Sequence, residues 1–417
     1  MTDKKDIWKS RYYLILRTYM TISGIWPYSR LGVRYIRFIP TFIFCSSILI
    51  PQVNFKINAY RENNSLLLYV IVAKDITNMI ESVTAAMISI IFSYKVASIM
   101  FNKNIKSCLK TIEEDWLSLN TDTEKSILQR HTEYGQYLTT SYAVFMHMTQ
   151  VFYLVKPVVL TLLETDVANS TKTSISKLPF RVEYGVDIDR YFYPITIHCY
   201  LAVFAHVFST IAVDSLYCTL IQHACGMFSI IGHVLEEIGK NNDANFRLTL
   251  NKREDSDYKT ALSCLRRHLQ TIEFAELIES TFTKIFLISV NLNMIGGSMT
   301  GIQMVMNLNK GVRDAAAPMA IYIAQLVHIF LQFWQAQFLL DYSIIPCESI
   351  CRGNWYYTSK RCQRLFLLIM TRTITPCRIT AGKIVTLSIE SFGAVSSEND
   401  DVLFYGATFL PVMILSK

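Results

Sequence analysis

Four polar side chains, Lys74, Thr77, Asn78 and Glu81, fall at i, i+3, i+4 and i+7 of an otherwise apolar run, so one helical face carries them all. A charge at the centre of a bilayer costs about 2.5 to 3.5 kcal/mol on insertion scales. The stripe therefore either faces protein or a wet cavity, or is neutralised along its own helix, Lys74 by Asn78 or Asp75 and Glu81 by Thr77. Further on, Met146, Thr149, Gln150 and Tyr153 share a face ahead of Pro157. That mixture of soft, aromatic and hydrogen-bonding groups suits a pocket for a small apolar molecule bearing one polar atom. It would equally serve helix packing, with Gln150 as polar glue. Tyr193, Ile197, Tyr200 and Phe204 lie along one face of a later apolar segment, and Tyr322 and Gln325 fall in another.

Catalytic patterns are missing. There is no Gly-rich phosphate loop, no zincin helix and no Ser/His/Asp order, so nothing argues for an enzyme or a cofactor. Cys347, Cys351, Cys362 and Cys377 match no zinc-finger spacing and read as reduced thiols, with no metal expected. Lone histidines such as His206 and His328 are, in such helices, more often satisfied packing residues than ligands. Gly297 and Gly301 form a GxxxG that permits close helix contact, a motif that also recurs by chance. Asp189-Arg190-Tyr191 spells the tripeptide of rhodopsin-like G-protein-coupled receptors, but it precedes an apolar segment on the wrong side and no Asn-Pro-x-x-Tyr follows in the last one.

The elements that must carry these faces are membrane spans. With 51% apolar and 18% charged residues and a mean hydropathy of +0.28, the chain is too greasy for an ordinary soluble protein. Windows of about 20 mostly apolar residues occur seven times, near 38–55, 66–94, 132–163, 191–223, 281–306, 314–343 and 379 onward. The segments 1–37, 95–131, 224–280 and 344–378 together hold 27 Lys and Arg, against 9 for the alternate connections and the tail. The positive-inside rule then places the N-terminus in the cytoplasm, and the net charge of +7 reflects the inner leaflet of the lipid bilayer rather than a nucleic-acid partner. Eight Lys and Arg precede the first apolar run, so no signal peptide opens the chain and the first span serves as its own insertion signal. The sequons at Asn63 and Asn169 both fall on outer loops, where glycosylation is expected, and the ten cysteines fall in spans or on the inner side.

Three stretches resemble insect odorant receptors, particularly those of ants, bees and wasps. They are Trp355 to Val395 (WYYTSKRCQRLFLLIMTRTITPCRITAGKIVTLSIESFGAV), Asp214, Tyr217, His223, Cys225 and Gly226 in a D..Y…HACG pattern, and His268 to Glu279 (HLQTIEFAELIE). The resemblance extends over about 130–395. It implies an all-α membrane protein with seven transmembrane helices, a cytoplasmic N-terminus and a cytoplasmic helical anchor region. Residues 1–343 would be the ligand-binding spans with their inner extensions, 344–378 the anchor region and 379–417 the pore helix with its tail. It also implies an odour-tuned subunit of a ligand-gated cation channel, a heterotetramer with a common odorant co-receptor, in the plasma membrane of olfactory sensory neuron dendrites. The family's pocket for small hydrophobic odorants lies among the outer halves of spans two, three, four and six. This singles out Thr77, Asn78, Met146, Thr149, Gln150, Tyr153, Tyr193, Ile197, Tyr200, Phe204, Tyr322 and Gln325 as ligand-binding candidates. Trp355 to Arg372 would be the anchor helix, and Ala381 to Val395 the preserved part of the pore helix, with Ser388, Ser391, Phe392 and Val395 on it. A gustatory receptor shares the topology but usually closes on a T-Y-hydrophobic-Q-F signature that is missing, and a transporter would call for inverted repeats, which are not found.

After Val395 the chain departs from the family, reading SSENDDVLFYGATFLPVMILSK. A helix from Ile379 to Val395 would be about 25 Å long, short of a hydrocarbon core about 30 Å thick, and Glu398, Asp400 and Asp401 follow where its outer part is expected. Three explanations stand beside one another: acidic residues at the pore mouth, a helix that ends early, and an unspliced or alternative last exon that would give a non-conducting form.

Overall fold

A computed structural model describes residues 7–49, 51, 76–164, 178, 184, 186, 187, 190–240, 255–308 and 311–394; within these, the side chains at 76–79, 152–153, 156–164 and 313–314 are not described. Lys74, Asp75, Asn63, Asn169, Val395 and the tail lie outside the described residues. The described chain is almost wholly helical. Two short 3-10 turns lead into α1 (Leu14–Ile22), followed by α2 (Leu31–Ser47), α3 (Ile76–Phe101), α4 (Asn104–Ser118), α5 (Asp122–Glu164), α6 (Phe192–Glu237), α7 (Ser256–Leu308), α8 (Val312–Tyr342), α9 (Ile345–Arg352) and α10 (Lys360–Thr373). A two-stranded hairpin, β1 (Thr380–Ala381) with β2 (Val385–Thr386), precedes helical turns at 389–394.

Among the described residues, four helical stretches are long and apolar enough to cross a membrane: Ile80–Phe101, Phe192–Glu237, Ser256–Leu308 and Ala315–Arg352. The three longest helices, α5, α6 and α7, have 43, 46 and 53 residues, or about 65 to 80 Å at 1.5 Å per residue. That is more than twice a hydrocarbon core, so each must run well beyond the membrane. The stretch His268 to Glu279 and the apolar window at 281–306 therefore form one continuous helix, α7.

The surplus lengths assemble a second helical layer. α9 and α10 pack on α6 and α7 through Ile231, Leu235, Cys264, Ile350, Leu365, Phe366 and Ile369. α10 starts at Lys360 because the Ser359 hydroxyl accepts the Cys362 amide (3.2 Å) while donating to Asp255 (2.6 Å). The anchor helix therefore begins five residues after Trp355, which sits in a 3-10 turn. Its buried residues Cys362, Leu365, Phe366, Ile369 and Thr373 recur at helical spacing. Its larger apolar members each contribute about 1.5 to 3 kcal/mol where that face leaves water.

The segment 95–131 is not one extension of the flanking helices. α3 stops at Phe101, where the Asn102 side chain accepts the Asn104 amide (2.9 Å) and starts α4. α5 begins in a capping arrangement in which the Thr121 hydroxyl accepts the Glu124 amide (3.2 Å) and Glu124 Oε2 accepts the Asn120 amide (3.3 Å). Glu124 Oε1 also accepts from Arg267 of α7 at 2.6 Å. Burial acts to raise the Glu124 pKa, and the Arg267 hydrogen bond and charge outweigh it, holding the carboxyl below its ordinary range.

One expectation is corrected. Residues from Ile379 to Ser388 are not part of a pore helix. Gly382 and Lys383 hold positive φ of 63° and 60°, the turn that closes a tight hairpin, and Ala381 pairs with Val385. The hairpin docks on α7: the Gly382 amide donates to the Thr283 carbonyl (2.9 Å) and the Thr380 hydroxyl to Glu279 (2.6 Å). The terminal turns begin only after Ser388, whose hydroxyl accepts the Ser391 amide at 3.1 Å. In the GxxxG, a methyl group built on Gly297 meets no heavy atom within 4 Å, so this glycine makes no close helix contact. Helices do approach closely at Gly226, where a Cβ would lie 2.7 Å from Leu128, and at Gly232, 2.7 Å from Ile345.

Candidate functional site

A cavity of about 190 Å³ lies between α3, α5, α6, α7 and α8. Helical spacing builds each wall: Ala85, Ile88, Ser89 and Phe92 from α3, Met146, Thr149 and Gln150 from α5, Val203, His206 and Val207 from α6, and Ala320, Ile321, Ala324, Gln325 and His328 from α8, with Ile91 and Asn293 completing the lining. Apolar side chains dominate, with a few polar groups set among them, the usual character of a small-molecule site.

Most of those polar groups are already satisfied. The Thr149 hydroxyl donates to the Met146 carbonyl (2.8 Å), Asn293 Nδ2 to the Ser289 carbonyl (2.8 Å) and His206 Nε2 to the Cys45 carbonyl of α2 (3.2 Å). The exceptions are two glutamine amides: Gln150 Nε2 and both amide atoms of Gln325 are buried without a hydrogen-bond partner.

Beneath the cavity is a buried ionic cluster that joins four helices. Lys95 Nζ donates to Asp214 Oδ1 (3.1 Å) and lies 3.0 Å from His328 Nε2. The Tyr142 hydroxyl donates to Asp214 Oδ2 (3.0 Å) and is 2.7 Å from His328 Nδ1, while Gln332 Nε2 lies 3.1 Å from His328 Nε2. With Nε2 accepting, the ring proton belongs on Nδ1, facing Asp214 Oδ2 at 3.1 Å. One cation thus meets one anion through a neutral ring, and both His328 nitrogens are occupied. His328 contributes the floor of the cavity rather than a free hydrogen-bonding group. Further along come Gln222 of α6 with Gln335 of α8 (2.9 Å), His223 of α6 with Asp115 of α4 (2.8 Å) and His131 of α5 with Ser229 of α6 (3.1 Å).

Of the twelve ligand-binding candidates, Met146, Thr149, Gln150 and Gln325 line the cavity. Tyr193, Ile197 and Phe204 are 78, 59 and 43% exposed on the outward face of α6 and take no part in it. Val203, His206 and Val207, one step round the helix from that stripe, line the cavity instead. Tyr200 and Tyr322 are half-buried outside the lining, and the Tyr200 hydroxyl donates to the Leu154 carbonyl (3.3 Å). The side chains of Thr77, Asn78 and Tyr153 lie outside the described residues. Ser388 and Ser391 share a hydroxyl contact of 3.0 Å at the start of the terminal turns, and Phe392 packs edge-on against Phe330 and Phe333 of α8. Lys95, Tyr142 and Asp214 were missed as a cluster. The available signal was Asp214 itself, a carboxylate in an apolar run with no basic residue within a turn of it on its own helix, which obliges a partner from another helix.

Long helices enclosing an apolar cavity above a neutralised ionic cluster define an all-α membrane protein with a site suited to small apolar molecules. The family model described as 7tm Odorant receptor matches residues 75–397, and the chain belongs to that odorant receptor family. Odorant receptor 13a of Drosophila melanogaster is 21% identical over 197 residues, 45% of this chain and 46% of its own length. The chain thus matches about half the length of that curated relative. The olfactory receptor OR5 from Machilis hrabei in complex with eugenol has a similar fold, with a TM-score of 0.70, 12% identity, and coverage of 96% of this chain and 97% of that one. A second structure of the olfactory receptor OR5 from Machilis hrabei gives a TM-score of 0.67 at 12% identity, covering 97% of this chain and 98% of that one.

Proposed function

We propose that this chain is an odour-tuned subunit that binds a small hydrophobic molecule, volatile or cuticular, in the cavity between α3, α5, α6, α7 and α8. Binding there opens a cation channel formed with a common co-receptor subunit. The observation that carries the reading is the cavity's composition, apolar walls with two buried amides that between them keep three unpartnered atoms, which suits a neutral ligand with a polar head. Recognition rather than catalysis is the task. Nucleophile, base and oxyanion donors are not assembled among the described residues of the wall, and its histidines are committed to structural hydrogen bonds. The chain acts in the plasma membrane of olfactory neuron dendrites, with its N-terminus and the α9–α10 layer on the cytoplasmic side.

Expression in a cell line with and without the co-receptor, under a panel of small volatiles and cuticular lipids, tests this. Odour-evoked cation current is expected only from the pair. Robust current from the chain alone would refute the co-receptor requirement, and silence of the surface-expressed pair to every compound would refute the receptor reading.

A further inference from the structure

We infer that the cavity selects compact apolar molecules carrying a hydrogen-bond donor beside an acceptor on one edge, read by the side-chain amides of Gln325 and Gln150. The inference rests on the reading of the cavity as the ligand site. Gln325 is 7% exposed and Gln150 4%, so both are more than nine-tenths buried, and both line the cavity.

The two amides offer different edges. Gln150 Oε1 lies 2.9 Å from His147 Nδ1, and His147 Nε2 lies 2.7 Å from the hydroxyl of Tyr19 on α1. With the tyrosine hydroxyl donating to Nε2, the ring proton sits on Nδ1 and is donated to Gln150 Oε1. That relay fixes the amide so that its Nε2, a donor, is the group left without a partner. Gln325 has no such tether, and its Oε1 and Nε2 are both unpartnered. Buried in the wall are therefore one unpartnered donor, from Gln150, and an unpartnered donor–acceptor pair, from Gln325, which a ligand meets as the two side chains turn toward it. Thr149, His206, Asn293 and His328 are spent on the protein itself.

A primary amide with neither edge partnered is complemented by a group whose donor and acceptor point the same way: a lactam, an undissociated carboxylic acid or a hydroxyl beside a carbonyl. The ligand carbonyl has two lone pairs, so it accepts from Gln325 and from Gln150 while its N–H or O–H donates to Gln325 Oε1. An ester or lactone leaves Gln325 Oε1 unpaired, and a hydrocarbon leaves all three atoms unpaired. Each buried group left without a partner lowers affinity by on the order of tenfold. The rest of the molecule lies against Ile88, Phe92, Val207 and Ile321.

Three isosteres on one alkyl-substituted ring test this: the lactam, the lactone and the cycloalkane, applied to cells expressing the full chain with the co-receptor. The lactam is expected to act at about one-tenth the concentration of the lactone, with the cycloalkane weakest. Q325M should bring the lactam to the potency of the lactone and leave the cycloalkane unchanged, whereas Q150M should weaken lactam and lactone alike. Equal potency of the three, or an unaltered ranking in a surface-expressed Q325M, overturns the inference. If Q325M does not reach the surface, the ranking in the unsubstituted chain decides alone. Currents without the ranking defeat only this inference; no current from any compound defeats the receptor reading and this inference together.

Discussion

Lys95 and Asp214, 1% and 3% exposed, are the two charges whose fates are tied most tightly. Either alone would be a buried, uncompensated ion, and removing one partner of such a pair is expected to cost about 3 to 5 kcal/mol. K95M should therefore lower the thermal stability of the detergent-solubilised protein and its surface yield. Changing Asp214→Leu in the same chain should recover much of the loss, because the orphaned carboxylate goes with it. A single K95M as stable as the parent would show that the pair is not closed as described. The sequence placed Lys95 at the start of an inner segment, since counting charges by loop cannot tell a lysine that reaches lipid headgroups from one that turns into the bundle. Asp214 was visible as part of a pattern, but its partners are 119 and 114 positions away, and separation of that kind leaves no periodic trace.

At the scale of elements, helical faces were legible where polar groups fell among apolar ones. Met146, Thr149 and Gln150 were found this way because the 3.6-residue period places them together. The aromatic face of α6 turns away from the cavity; aromatic residues suit a lipid-facing surface as well as a pocket wall, and hydropathy does not separate the two. The hairpin was misread for a related reason: ITAGKIVT is apolar and β-branched, so it satisfies a span window, while its turn signal lies in one glycine. That glycine decides the element. In G382A the new Cβ would lie 2.7 Å from Leu287 at a φ of +63°, so both the turn and its docking on α7 suffer, by about 1 to 3 kcal/mol. At the neighbouring Lys383, exposed at a φ of 60°, K383G should be neutral or slightly stabilising because it removes left-handed strain. Thermal unfolding of the two variants side by side checks the opposite signs. Equal effects would mean that the turn does not control this part of the chain.

The whole molecule is layered along its long helices: cavity, ionic cluster, inner polar pairs, then the α9–α10 layer. This order follows from helix length, because α7 at about 80 Å exceeds the hydrocarbon core by about 50 Å. α10 packs on the first half of α7, through Cys264 and Ala261, so the surplus lies at that end. The segments 224–280 and 344–378 carry 13 Lys and Arg between them, so the positive-inside rule leads us to propose that the same end is cytoplasmic. A thiol provides the test. Cys351 on α9 is exposed, whereas Cys45, Cys108, Cys199, Cys218, Cys225, Cys264 and Cys362 are buried and Cys347 and Cys377 are intermediate. A membrane-impermeant maleimide should leave the chain nearly unlabelled on intact cells and label it after permeabilisation, and C351S should remove most of that signal. Strong labelling on intact cells that C351S abolishes would put the α9–α10 layer outside. That result would reverse the assignment of every loop, including the outer positions expected for Asn63 and Asn169.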